Sequence, residues 1–301
     1  MNKTLNQESK FNTSDESLKD DFKSLKSEKD VIDLYYFTDP LCSHCWALDS
    51  TLSRFKLEYK DYLNIITVMG GMIEDGNHYQ DLQGEEAKSQ ASHWEDVGLF
   101  YHIPMNSNVW HKNPITSSFP SSIIYLILKK QDEIKAATFL RMVREKAFVF
   151  ETNVANKEEL IKMLQSLQVP YQPIIDLAFS KEGKKILLDN FQPMIDLGVS
   201  GFPTVVFVNK QNEGIKVVGA RTIETYKKAL LKIMKEGTVL EPNHLPTLKE
   251  LLDVTPTIFY YEIEKMYDLK VDEIQSFITK NLAKDSYKTD EIVGYSFIQK
   301  V

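Results

Sequence analysis

The chain has little cysteine: Cys42 and Cys45 are the only two in 301 residues, and no cysteine or histidine precedes Cys42. Two cysteines so close together cannot form the disulfide framework of a small secreted protein, and they suit a reducing compartment. A zinc site needs about four nitrogen or sulfur ligands, and the histidines beyond His44 show no tight ligand spacing. We therefore expect no metal, no other cofactor and a cytoplasmic location.

The chain also lacks an excess of positive charge and long apolar runs. Its formal net charge is -7, so it offers no basic field for a phosphate backbone, and we expect no nucleic-acid partner. No stretch reaches the roughly 18 apolar residues of a membrane span, and residues 1–30 lack the apolar core of a secretory signal. We expect no membrane partner, and a disordered leader in residues 1–29 because their apolar content cannot offset chain entropy.

The sequence does contain a Cys-x-x-Cys motif, Cys42-Ser43-His44-Cys45, between a strand-like run, Val31–Phe37, and a helix-like run, Trp46–Tyr59. Two turn-forming residues, Asp39 and Pro40, end the strand. Cys42 therefore falls at a helix N-terminus, where unpaired N–H groups and the helix dipole stabilise a thiolate. We predict that Cys42 attacks a substrate disulfide, that Cys45 resolves the mixed disulfide, and that His44 adds positive charge. The alternative for the two cysteines is a structural role as small apolar residues at the start of a helix. The alternative for His44 is a solvated loop residue with no effect on the thiol.

The order of the predicted elements is that of an α/β, thioredoxin-like fold with a long helical insertion, as in DsbA. A strand at Asn64–Met69 completes a βαβ unit, and strand signals return at Thr204–Val208 and Ile215–Val218, before a helix at Thr222–Lys235. We predict a thioredoxin-like domain in residues 30–75 and 198–240 and a helical insertion in residues 76–197. The predicted insertion helices are Glu85–Tyr101, Pro120–Lys130, Ile134–Phe148, Lys157–Leu167 and Ile174–Leu188.

Gly201-Phe202-Pro203-Thr204 stands directly before the predicted hairpin. Thioredoxin-like proteins place a cis-proline loop at this point, against the cysteine pair, where it receives extended polypeptide. By that analogy we predict that Pro203 is a cis-proline of the site, although only about one X–Pro bond in twenty is cis in folded proteins. The alternative is an ordinary trans proline at the start of a strand.

Prolines mark a linker at residues 241–246, and we predict a separate C-terminal extension in residues 241–301. Its pattern indicates a small, winged-helix-like unit with helices at Pro246–Asp253, Ile258–Tyr267 and Val271–Leu282 and a strand at Glu291–Gln299. Acidic residues outnumber lysines in it, which disfavours binding in a DNA groove. We expect a protein-docking module rather than a transcription factor.

The string Asp39-Pro40-Leu41-Cys42-Ser43-His44-Cys45-Trp46-Ala47-Leu48 resembles the opening of the YjbH/SpxH group of DsbA-family proteins. Asn108-Val109-Trp110 resembles that group's helical insertion, Gly214–Gly219 its hairpin, and Tyr267-Asp268-Leu269 its C-terminal extension. The resemblance covers roughly residues 31–301. It implies a thioredoxin-like adapter that presents the transcription regulator Spx to the ClpXP protease.

Two functions are therefore expected. The first, implied by the resemblance, is an adapter that binds Spx and promotes its degradation by ClpXP, with the cysteine pair tuning binding through its redox state. The alternative is a cytoplasmic thiol–disulfide oxidoreductase similar to DsbA and FrnE, which the Gly70-Gly71-Met72 turn and His44 also resemble. In the enzyme, Cys42 attacks, Cys45 resolves and Pro203 positions the substrate backbone.

Overall fold

The structure, a computed structural model, describes residues 31–74 and 85–301. The predicted leader in residues 1–29 lies outside the described residues. Within the described part of the chain, every helix is too short or too polar to cross a membrane.

A four-stranded sheet forms the centre of the thioredoxin-like half, as predicted. Its strands are β1 (Ile32–Thr38), β2 (Leu63–Met69), β3 (Thr204–Val208) and β4 (Gly214–Val218), in the order β2-β1-β3-β4. β1 and β2 are parallel and are connected through helix α1 (Ser43–Glu58), whereas β3 is antiparallel to both β1 and β4. Apolar side chains from the sheet and α1 form a core with Tyr226 and Leu230, which lie on a later helix.

Helices fill the described chain between β2 and β3, which confirms the predicted helical insertion. They are α2 (Glu85–Tyr101), α3 (Asn108–Lys112), α4 (Phe119–Lys129), α5 (Glu133–Phe148), α6 (Lys157–Ser166), α7 (Tyr171–Ala178), α8 (Lys181–Asp189) and α9 (Gln192–Asp196). Helix α4 is mostly apolar and nearly all of it is buried, as expected for a helix with few polar residues. The insertion core contains Trp94, whose ring contacts the rings of both Trp110 and Phe148.

The prediction of one helix over Ile174–Leu188 is wrong, because α7 ends at Ala178 and α8 begins at Lys181. Ser180 is the N-cap of α8, and its hydroxyl accepts the N–H of Gly183 at 3.0 Å. A Cβ atom at Gly183 would lie 2.0 Å from the carbonyl oxygen of Leu177. The two short helices can therefore approach each other closely only because position 183 is glycine.

Helix α10 (Ile223–Ile233) follows β4, and the C-terminal extension has the winged-helix-like order helix, strand, two helices and two strands. Its elements are α11 (Leu248–Val254), β5 (Thr257–Phe259), α12 (Tyr260–Tyr267), α13 (Ile274–Asn281), β6 (Tyr287–Ile292) and β7 (Tyr295–Lys300). The strand order is β5-β7-β6. Buried side chains that include Leu248, Ile263, Ile278 and Ile298 give this unit a small core of its own.

Two predicted elements of the extension need correction. The segment Ile258–Tyr267 is not one helix, because it begins within β5, where Phe259 pairs with Phe297 of β7. The carboxylate of Glu262 accepts the N–H of Phe259 at 2.9 Å and so starts α12 only after the strand. The segment Glu291–Gln299 is not one strand, because Val293 and Gly294 both have positive φ and form the turn of a hairpin.

The extension is not separate from the rest of the molecule, contrary to our expectation from the proline-marked linker. Phe259, Tyr261 and Phe297 are buried in the same core as the tryptophans of the insertion. Residues 31–301 accordingly form one compact unit.

Candidate functional site

Cys42 and Cys45 are joined by a disulfide, and their Cα atoms lie 5.1 Å apart, within the range that disulfides require. Cys42 is the N-cap of α1, as predicted, and its Sγ accepts the N–H of Cys45 at 3.1 Å. Both residues are nearly buried, with Cys42 4% and Cys45 0% exposed. An N–H donor and the helix dipole would stabilise a thiolate at Cys42 after reduction.

Asp39 holds the loop that carries Cys42. Its Oδ1 accepts the N–H of Leu41 at 2.8 Å, and its Oδ2 accepts the N–H of Met72 at 2.9 Å and the hydroxyl of Ser118 at 3.0 Å. Burial raises the pKa of Asp39, against the stabilising effect of these hydrogen bonds. One carboxyl group thus connects the cysteine loop, the Gly70-Gly71-Met72 turn and the insertion. In the sequence, Asp39 stood out only as a turn-forming residue.

Arg144 of α5 extends this polar network under the site. It is 2% exposed, and its Nη1 donates to both carboxylate oxygens of Asp49 at 2.7 and 2.6 Å. Its Nη2 donates to the carbonyl oxygen of Asp39 at 3.2 Å. Burial lowers the pKa of Arg144, but the Asp49 carboxylate and Tyr36 together outweigh burial, and the net shift is upward. The helix has two arginines, Arg141 and Arg144, and nothing in the sequence indicates this role for Arg144.

His44 lies beside the disulfide on α1, but its environment reduces the charge that we expected it to add. Its ring is half-buried, stacks on His93 of α2 with centroids 5.4 Å apart, and meets the edge of Tyr101. Burial and, secondarily, His93 lower the pKa of His44. His44 is therefore largely neutral at neutral pH. Among the described residues, no three His, Cys, Asp or Glu side chains are grouped to hold a metal ion.

The peptide bond between Phe202 and Pro203 is cis. Thr204 pairs with Phe37 near the C-terminal end of β1. Pro203 therefore lies at the same end of the sheet as the loop that follows β1 and carries Cys42. A Cβ at Gly70 would lie 2.4 Å from Cζ of Phe202, so a glycine is needed there for this ring to pack. That the loop receives substrate polypeptide stays a prediction.

Trp46, the residue after Cys45, connects the motif to the insertion and the extension. Its indole N–H donates to the carbonyl oxygen of Pro104 at 3.2 Å. The ring contacts the rings of Phe148, Phe259 and Tyr261, and the guanidinium of Arg141 lies 4.9 Å from its centre. This contact set, which the sequence did not reveal, makes the start of α1 a junction of all three parts of the fold.

Known proteins share this architecture. The family model described as Thioredoxin matches residues 35–228. The ClpXP adapter protein SpxH of Halalkalibacterium halodurans is 28% identical over 288 residues, covering 92% of this chain and 93% of that protein. SpxH of Bacillus subtilis (strain 168) is 23% identical over 256 residues, covering 84% of this chain and 83% of the relative.

Among solved structures, the cytosolic disulfide reductase DsbM from Pseudomonas aeruginosa with GSH matches with a TM-score of 0.51 and 17% identity. It covers 65% of this chain and 92% of that structure, and the likeness concerns the fold alone. These matches confirm the predicted thioredoxin-like fold and the resemblance to the YjbH/SpxH group. The sheet, the disulfide at the start of α1 and the family match over most of the chain agree: this protein belongs to the thioredoxin family.

Proposed function

We propose that this protein is a cytoplasmic adapter that binds the transcription regulator Spx and promotes its degradation by the ClpXP protease. The observation that carries the proposal is the extent of the similarity. The SpxH relative aligns with 92% of the chain, whereas the thioredoxin family model ends at residue 228, before the extension begins. A thioredoxin-type enzyme accounts for the first part of the chain only, and an SpxH-type adapter accounts for nearly all of it.

The attachment of the extension to the rest of the molecule is compatible with adapter action. An adapter accelerates proteolysis by raising the local concentration of substrate at the protease, or by shifting the substrate toward a conformation that the protease recognises. The first effect needs a substrate-binding surface and a protease-binding surface on one molecule, and the second needs a substrate-binding surface alone. The burial of Phe259, Tyr261 and Phe297 in the insertion core keeps the extension attached to the rest of such a molecule.

The test is a degradation assay with purified Spx and ClpXP. We expect the half-life of Spx to shorten several-fold when this protein is added, and we expect pull-down of Spx by this protein without the protease. A matched control is an unrelated substrate of ClpXP, whose half-life should not change. An Spx half-life that is the same with and without the protein would contradict the proposal.

A second candidate function is thiol–disulfide exchange, favoured by one observation: Cys42 and Cys45 are bonded at a helix N-terminus, with the Sγ of Cys42 accepting an N–H. Replacing both cysteines by serine separates the two functions. Loss of insulin reduction with intact Spx degradation would support the adapter. Insulin reduction that persists in this variant would rule out exchange at this pair, and a wild type that reduces insulin without changing the half-life of Spx would favour the enzyme.

A further inference from the structure

A histidine outside the Cys-x-x-Cys motif contacts it. His93 lies on α2, 50 positions beyond Ser43, and its Nε2 is 3.0 Å from the hydroxyl oxygen of Ser43. Ser43 is buried between the two cysteines, and the same hydroxyl oxygen lies 3.5 Å from Nδ1 of His44. Ser43 thus stands between two imidazoles whose rings also stack on each other.

We propose that His93 is a positioning residue of the Cys42–Cys45 pair, which acts through Ser43 and His44 to set the charge beside Cys42. The inference rests on redox chemistry at this pair, which both the second candidate function and the proposed tuning of the adapter require. It does not depend on where Spx binds. It extends the site from α1 into the helical insertion.

The physical argument concerns the repulsion between two neighbouring rings. Ring centroids 5.4 Å apart place two imidazolium ions close enough to repel each other, so a positive charge on one ring disfavours a positive charge on the other. His44 is half-buried, and burial also disfavours its charged form. The Ser43 hydroxyl can donate a hydrogen bond to one ring nitrogen and accept one from the other, which fixes the orientation of the two rings relative to each other.

The elements that carry or flank the two rings supply further titratable groups. From α2, Tyr101 meets the edge of His44, and Asp96 lies one helical turn beyond His93. Before α1, Asp39 is held by hydrogen bonds, and from β7 the hydroxyl of Tyr295 donates to the carbonyl oxygen of Gly98 at 3.4 Å.

The consequence concerns the thiolate. With His93 present, His44 is held neutral and contributes little positive charge to the Cys42 thiolate. Without His93, His44 accepts a proton more readily, and a cation directly beside Cys42 lowers the pKa of its thiol. His93 therefore moderates the acidity that the motif alone would give to Cys42.

The test uses the full-length protein in its reduced form, without Spx. In His93→Gln, the side-chain amide can still bond to Ser43 but carries no charge. We expect the NMR titration midpoint of His44 to rise by about 0.5 pH unit or more, and the thiolate absorbance of Cys42 to titrate at correspondingly lower pH. The equilibrium with glutathione should shift toward the dithiol form by about threefold at neutral pH.

His111→Gln, on α3, is the matched control and should leave both midpoints unchanged. A thermal unfolding midpoint equal to that of the wild type would show that His93→Gln leaves the fold intact. Should His93→Gln fold poorly, the second variant is Ser43→Ala, which keeps both rings but removes the hydroxyl group between them. An unchanged His44 midpoint, or a Cys42 midpoint that rises, would overturn the inference. Since no Spx is present, neither result depends on adapter activity.

Discussion

Lys56 brings a positive charge to the polar side chains beneath the redox pair. Its ammonium nitrogen lies 4.8 Å from the centre of the Tyr36 ring, and Tyr36 donates a hydrogen bond of 3.3 Å to Asp49, the partner of Arg144. Burial lowers the pKa of Lys56 to about 8, against the attraction of the Asp49 carboxylate. The charged form of Lys56 is therefore less favourable in the folded protein than in the unfolded chain.

This shift predicts a pH-dependent effect of Lys56→Met. Because the folded-state pKa is about 8 and the usual value is 10.5, the charge costs stability fully below pH 8, and the cost disappears as pH rises through 10.5. We expect the change in unfolding free energy caused by Lys56→Met to be more favourable at pH 7 than at pH 10 by about 1–2 kcal/mol, after allowance for solvent screening.

Urea unfolding of the wild type and the variant at both pH values measures this difference. Lys60→Met, at an exposed position close by, is the matched control for the loss of one positive charge. The same effect of Lys56→Met at both pH values would show that the lysine pays no desolvation cost in the fold.

At the scale of elements, the break between α7 and α8 depends on one residue. Gly183→Ala would place a Cβ 2.0 Å from the Leu177 carbonyl oxygen, and backbone at that distance cannot be displaced without moving a helix. We expect a loss of about 1–3 kcal/mol in unfolding free energy, measured by chemical denaturation.

Gly214→Ala in β4 is the control for the Gly183 variant, since the nearest atom to its added Cβ is 3.7 Å away. We expect it to change stability by no more than about 0.5 kcal/mol. If the two alanine variants are equally stable, the close approach of α7 and α8 does not require glycine.

The elements that the sequence predicted well are those specified by local signals. The strand that becomes β1 and the helix α1 follow from a β-branched run, a turn at Asp39-Pro40 and helical periodicity, all within a few residues. The break at Ser180 had a local signal, a serine able to cap a helix, which the prediction passed over. The close approach of Leu177 to Gly183 is a packing contact that the sequence does not show. The hairpin turn at Val293-Gly294 did have a local signal, the glycine, which the prediction passed over.

The site was predicted in part for the same reason. Cys42 and Cys45 could be placed at a helix start from neighbouring residues alone. Asp39 and Arg144 lie 105 positions apart in the chain, and Ser43 and His93 lie 50 apart. Contacts over such separations leave no periodic pattern in one sequence, so the polar network and the second histidine appear only in the folded structure.

At the scale of the whole molecule, one arginine fastens the extension to the insertion. Arg141 of α5 donates through both terminal nitrogens to the carboxylate of Glu262 on α12, and through Nε to Glu145 at 2.6 Å. Burial lowers the pKa of Arg141, but the carboxylates of Glu262 and then Glu145 outweigh it, and the net shift is upward. A bidentate pair between an arginine and a carboxylate fixes the geometry of the contact and is stronger than a single neutral hydrogen bond.

Arg141→Met should loosen the extension. The change leaves Glu262 and Glu145 without their cation in a mostly buried place, and we expect a loss of about 2–3 kcal/mol in unfolding free energy, below the range for a fully buried pair. Limited proteolysis should cleave the variant within residues 241–301 sooner than the wild type.

Lys249→Met tests an exposed ion pair of the same extension, Lys249 with Asp253 at 2.9 Å. It should change stability by no more than about 0.5 kcal/mol and should leave the cleavage pattern unchanged. Equal resistance of Arg141→Met and wild type to the protease would mean that apolar contacts alone hold the extension in place.

Trp46 gives the molecule a built-in optical probe. Its indole is enclosed by Phe148 of the insertion and by Phe259 and Tyr261 of the extension, and an indole emits at longer wavelength when water reaches it. A partner that lifts the extension away from α1 would therefore redden the intrinsic fluorescence of the unlabelled protein. Such a signal could follow the capture of a substrate in real time.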